Sequence, residues 1–140
     1  MEILAITTLV AGLASVTIAD YQTIKVSGRL FCGDRTNPAK GVTLKLYDKD
    51  RFLNPDDFLD SKATDDNGNF MLEGGTSEAT TIDPLLKIYH NCDNRWALCA
   101  KEVEFMLPDK YINTQTAMDI GDINMEPTFK EEELNCIDGI

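Results

Sequence analysis

The chain has 140 residues, with 13 Lys and Arg against 24 Asp and Glu, and a formal charge of −11 at neutral pH. That balance excludes a nucleic-acid binder built on clustered Lys and Arg, and it excludes nonspecific adsorption to anionic membranes. With 43% hydrophobic residues, the chain has enough apolar material for one core and a single domain.

From Ile3 to Ile18 the sequence carries no charge and little polarity beyond Thr and Ser. The run is shorter than the roughly 20 apolar residues a membrane-spanning helix requires. Thr17 and Ala19 place small residues where a signal peptidase reads them. Residues 1–19 are therefore expected to be a signal peptide cut before Asp20, although Glu2 departs from the usual basic start. Residues 20–140 are then a secreted domain with an acidic C-terminal tail. All four cysteines, Cys32, Cys92, Cys99 and Cys136, lie within it. An even count in an exported chain reads as two disulfides, with three connectivities open. No Cys-x-x-Cys pair exists, so zinc is not expected. No Asn-x-Ser/Thr sequon appears either.

Beyond Asp20 the chain is punctuated like an all-β domain. "IKVSGRLFC" alternates with a period of two, putting Ile24, Val26, Gly28, Leu30 and Cys32 on one face. "GDRTNPAKG" reads as a loop, and "VTLKLYD" as a strand with Val42, Leu44 and Leu46 inward. "LDSKATD" is a weak edge strand. In "DDNGNFMLEGG", Asn67-Gly68 predicts a two-residue type I′ hairpin, with Phe70 and Leu72 facing the core. "TSEATTID" reads as a connector with room for one helical turn. "PLLKIYHNC" aligns Leu86, Ile88, His90 and Cys92, while "KEVEFMLPDKYI" turns Val103, Phe105 and Leu107 inward and Glu102 and Glu104 outward. "TAMDIGDINM" breaks its alternation at Gly121, which predicts a bulge. "EPTFKEEELNC" is the acidic tail, with room for a short helix. Seven strands without long amphipathic helices predict a two-sheet antiparallel β-sandwich.

Few residues offer chemistry. His90, the only histidine, lies two residues before Cys92. A Cys–His nucleophile needs a free thiolate and an adjacent base, yet side chains at i and i+2 project in parallel, and Cys92 in an oxidising compartment is bonded. His90 is expected to be an inward strand residue, with its nitrogens satisfied by backbone or a carboxylate and a secondary capacity for pH-sensitive packing. Asp56, Asp57, Asp60, Asp119 and Asp122 read as solvated turn carboxylates rather than calcium ligands. No catalytic residue, metal or cofactor is expected.

Taken together, "VSGRLFCGDRTNPAKGVTLKLYDKD", "DDNGNFMLEGG", "IDPLLKIYHNCD" and "FMLPDKYI" resemble the nematode transthyretin-like proteins, from about Lys25 to Cys136. The resemblance implies secretion, a transthyretin-like sandwich of seven or more strands, and an extracellular role in bridging or carrying ligands at cell surfaces. In that arrangement the strands ending at Cys32 and Cys92 lie in opposite sheets and run the same way. It thus implies the pairs Cys32–Cys92 and Cys99–Cys136, against a rival of Cys92–Cys99 with Cys32–Cys136. Trp96, in a loop near the cysteine rim, is a candidate partner contact or a cover for the disulfide. The sandwich also resembles the hydrolase branch of the superfamily, which opens 5-hydroxyisourate with several histidines, an arginine and a terminal Tyr-Arg-Gly-Ser. This chain has one histidine and ends "NCIDGI", so that catalytic set is absent. The expected function is binding of a receptor or cell-surface ligand, a lipid included, with carriage of a small hydrophobic molecule as the alternative.

Overall fold

Alternating side chains, not helical stripes, organise the fold. The computed structural model describes Gly12 and residues 19–50, 54–93 and 99–136. The expected leader, apart from Gly12 and Ala19, and the loop carrying Trp96 lie outside them. Nine strands are present among the described residues: β1 (Asp20–Cys32), β2 (Asp34–Pro38), β3 (Thr43–Asp48), β4 (Asp57–Ala63), β5 (Asn69–Glu78), β6 (Pro84–His90), β7 (Ala100–Met106), β8 (Met118–Asn124) and β9 (Glu132–Asn135). A 3-10 turn at Asp109–Tyr111 precedes β8. Among the described residues no helix is long and apolar enough to cross a membrane.

The strands form two sheets. In the smaller one, β5 and β2 share one edge of β1 in succession, and β8 takes the other edge. The larger has the order β4-β3-β6-β7-β9. Every pairing is antiparallel except β1 with β8, which run parallel. Ile24, Val26, Leu30, Phe70 and Leu72 from the smaller sheet meet Leu44, Leu46, Leu86, Ile88 and Val103 from the larger, all of them buried. The alternation is visible in β3, where Leu44, Leu46 and Asp48 point in and Thr43, Lys45 and Tyr47 point out.

Four local expectations need correction. Asp34–Pro38 is a strand, not a loop: Gly33, with φ of +78°, reverses the chain, and the Asp34 carboxylate accepts the Thr36 N–H at 2.8 Å. Residues 76–78 extend β5 because Thr76, Ser77 and Glu78 pair with Gln22, Tyr21 and Asp20. The tail contributes strand β9 rather than a helix, paired with β7.

Asn67-Gly68 does not close a hairpin of paired strands. β4 and β5 belong to different sheets, and only Gly68 of the pair has positive φ. The turn spans Asp65–Gly68, with Gly68 N–H donating to Asp65 O and the Asp65 carboxylate accepting the N–H groups of Asn67 and Asn69. The bulge at Gly121 is present: two β1 residues, Ser27 and Arg29, match Asp119 and Asp122, with Gly121 at φ +75° and its N–H on the Asp119 carboxylate.

Two glycines separate a conformational cost from a steric one. Gly41 (φ +64°) has open space where a Cβ would stand, whereas a Cβ on Gly68 (φ +80°) would collide with the Leu30 carbonyl oxygen. Gly41→Ala is expected to lose about 1 kcal/mol of stability and Gly68→Ala about 3 kcal/mol or more, measured by urea unfolding. Equal losses at the two positions would contradict this packing of the sheet crossover.

Candidate functional site

The strand directions give the sandwich two unlike ends. At one end β1 finishes at Cys32, β6 at His90, and β7 begins at Ala100. There Cys32 is bonded to Cys92 and Cys99 to Cys136, with Cα separations of 5.7 and 4.2 Å. The first bond ties the smaller sheet to the segment leaving β6 in the larger, and the second ties β9 to the start of β7.

His90 sits at this end with the inward register of Leu86 and Ile88, 2% exposed. Its Nδ1 accepts the Cys92 N–H at 3.1 Å, so the neutral ring carries its proton on Nε2. That second nitrogen is buried without a hydrogen-bond partner, where the sequence pointed to full satisfaction. Burial pulls the pKa down to about 4; Glu132 opposes the shift and Lys101 adds to it. With Cys92 bonded to Cys32, no free thiol stands beside the ring.

At the opposite end, β3 finishes at Asp48, β4 begins at Asp57, and β5 finishes at Glu78. Carboxylate oxygens of Asp48, Asp50, Asp57 and Glu78 all lie within 4.8 Å of one another. Asp48, Asp50 and Glu78 border an open cleft of about 550 Å³, which Lys49, Thr80, Thr81, Asp83 and Asp109 also line. Asp48 is only 3% exposed because it continues the inward phase of Leu44 and Leu46. One of its oxygens accepts the Asp83 N–H at 2.8 Å. Burial raises the Asp48 carboxyl above the usual range, the Asp83 N–H draws it partly back, and Asp50, Asp57 and Asp83 add repulsion. A hydrogen bond shared with Asp57, then burial, raises Glu78; burial, then Asp57 and Asp56, raises Asp50. Among the described residues no Lys or Arg forms an ion pair with these four groups. Such an oxygen set matches the donors a hard cation takes, and equally a cationic side chain.

The carboxylates read as solvated turn groups thus divide. Asp57 joins the cluster, and Asp56 accepts the Asp50 N–H. Asp60 accepts the Glu73 N–H and ties β4 to β5, while Asp122 pairs with Arg29 and Arg35. The sequence reading missed Asp48 and Glu78. The available signal was the period of "VTLKLYD", which puts Asp48 in phase with two core leucines. Glu102 was read as outward and does point away from the core, yet it is 3% exposed, because Lys87 at 3.1 Å and Asn135 Nδ2 at 2.9 Å cover it. Burial works to raise its pKa, but Asn135, Lys87 and Tyr89 outweigh that and the net shift is downward.

These two ends give opposite pH responses. His90 titrates lower in the folded chain than in the unfolded one, so the unfolded state takes up its proton first as pH falls. Wild type should lose about 2 kcal/mol relative to His90→Leu between pH 6.5 and 5, in paired denaturation series. No relative change across that interval would place the ring in a wetter setting. Asp50 shifts upward, so its charge destabilises the fold at neutral pH. Asp50→Asn in chelator is therefore expected to raise the thermal midpoint at pH 7, with the gain shrinking toward pH 4.

A transthyretin-like family model matches residues 27–108. The chain is 42% identical to transthyretin-like protein 46 of Caenorhabditis elegans, over 92% of this chain and 74% of that protein. It is 41% identical to transthyretin-like protein 33 of the same organism, over 83% of this chain and 82% of that protein. With transthyretin-like protein 5 it shares 36% identity over 98% of this chain and 99% of that protein.

Proposed function

Since the chain belongs to the transthyretin-like family, we propose that it is a secreted binding protein that bridges or signals at cell surfaces, meeting a receptor through the exterior of the sandwich. The acidic end is the contact surface, and its partner presents a cationic one. The observation that carries this is the clustering of Asp48, Asp50, Asp57 and Glu78 beside an open cleft that the first, second and fourth line, with the carboxyl groups of Asp48, Asp50 and Glu78 shifted upward. Those shifts express repulsion and lost hydration, and a cation seated there relieves both.

Secretion is supported by the apolar leader and by four cysteines in two disulfides, the state an oxidising compartment maintains. A non-enzymatic role is supported by the fixing of the one histidine against Cys92. The carrier alternative draws less support, because the inner faces of the sheets interdigitate and the described clefts are open surface features.

The oxidised domain, immobilised in about 0.15 M salt, is expected to capture a basic surface protein from intact cells. Capture should fall steeply with added salt and disappear in Asp50→Lys/Glu78→Lys. Capture indifferent to both would remove the acidic end from the function. Apolar cargo extracted from natively purified protein would move the assignment to carriage.

A further inference from the structure

Strand β9 is held to the molecule in an unusual way. It forms the outer edge of the larger sheet and pairs with β7 alone. In that ladder Glu133 lies directly across from Glu102, a like-charge pairing that weakens a sheet. Glu131, Glu132 and Glu133 share a cleft of about 160 Å³ with Glu102 and Glu104, against the single cation of Lys130. Leu134, the one apolar residue of β9, is 59% exposed, so the strand buries no hydrophobic anchor of its own. The chain entering it is anchored by Phe129, whose ring meets Phe105 edge-on at 5.6 Å. Beyond that point the β7 ladder is supplemented by the hydrogen bond from Asn135 Nδ2 to Glu102 and, one residue on, by the Cys99–Cys136 bond. The two disulfides differ in access. Cys92 is buried and Cys32 packs against the core, whereas Cys136 is exposed and Cys99 half-buried.

We propose that β9 is a redox-released strap: a dithiol reductant opens Cys99–Cys136, β9 leaves β7, and Cys32–Cys92 keeps the sandwich closed. The step is ordinary thiol–disulfide exchange. A reductant thiolate attacks Sγ of Cys136, and Cys99 departs as a thiolate that takes up a proton. The reductant's second thiolate then displaces Cys136 from the mixed disulfide. Two electrons pass to the protein as two thiols, and the reductant leaves as its own disulfide. Release uncovers the edge N–H and C=O groups of β7 and strips Glu102 of its Asn135 cap. Lys87, at 3.1 Å from Glu102 and 3.5 Å from Glu104, remains to hold those carboxylates, so the sheet beneath survives.

The test uses the oxidised, folded protein and dithiothreitol at neutral pH without denaturant. Differential alkylation and peptide mapping are expected to show Cys99 and Cys136 labelled about tenfold faster than Cys32 and Cys92. Hydrogen exchange should then accelerate at residues 100–104 and 131–136, with protection of β1, β3, β5 and β6 unchanged. Cys99→Ser/Cys136→Ser should show the same exchange pattern without reductant. Glu133→Lys, which places a cation across from Glu102, should slow the exchange of β9 in reduced protein. Reduction of both disulfides together, or earlier reduction of Cys32–Cys92, would overturn the proposal. So would β9 and β7 amides that stay as protected after Cys99–Cys136 opens as before.

Discussion

The bond between Cys32 and Cys92 is the constraint on which the two ends of the molecule depend. It joins the last residue of β1, in one sheet, to a residue just beyond β6, in the other. Closing a loop of about 60 residues in the unfolded chain is worth on the order of 4 kcal/mol, comparable with the net stability of a small domain. The bond also sets the backbone of Cys92, whose N–H holds the His90 ring in its inward pose. One end of the sandwich is therefore closed covalently. The other is held by polar contacts: Gln22 accepts the Ile82 N–H and donates to Thr80 O, and Asp48 accepts the Asp83 N–H.

Charge follows the same division. On the outer faces of the sheets acids and bases are matched, as in Lys25 with Glu73, Arg29 and Arg35 with Asp122, and Lys87 with Glu102 and Glu104. Lys45 and Lys87 sit directly opposite each other in the ladder of β3 and β6, yet each ammonium lies over a tyrosine ring, Tyr89 and Tyr47 respectively. Those aromatic faces offset what would otherwise be a repulsive pair. At the polar end carboxylate oxygens of Asp48, Asp50, Asp57 and Glu78 converge within 4.8 Å of one another, and Lys49, which lines the same cleft, forms no ion pair with them. Excess negative charge therefore gathers in two places, at this polar end and along the β7–β9 edge, where Glu131, Glu132 and Glu133 join Glu102 and Glu104.

How much of this the sequence revealed depended on whether a residue's environment was set by its own strand or by a distant one. The inward residues of β1, β3, β6 and β7 could be read because a period of two assigns faces locally. The bulge at Gly121 could be read because only a break in that period explains its neighbours. β2 could not, since its four polar residues and Pro38 become a strand only by pairing with β1. β9 was hidden for the same reason: Glu132–Asn135 has no strand-like pattern and takes its form from β7. Asn67-Gly68 signalled a turn correctly but not its destination, because sheet membership is decided by where β4 and β5 bury their apolar faces. The burial of Glu102 also lay beyond local reading, since Asn135, the residue that covers it, is 33 positions away.

The filled interior is what favours, in the proposed reading, contact through the exterior over carriage between the sheets. Phe70 and Leu72 oppose Leu44 and Leu46 across the sheets, and large apolar side chains there reach zero exposure. A ligand between the sheets would have to displace them, and emptying even one leucine's place costs about 2–5 kcal/mol. The open clefts require no such displacement. The cleft beside Asp48 already carries the cost of crowded carboxylates, so part of its binding free energy is available as relief of strain present before any partner arrives. A partner that neutralises those groups stabilises the fold and gains affinity through the same contacts, which couples binding to the end of the sandwich that no disulfide closes.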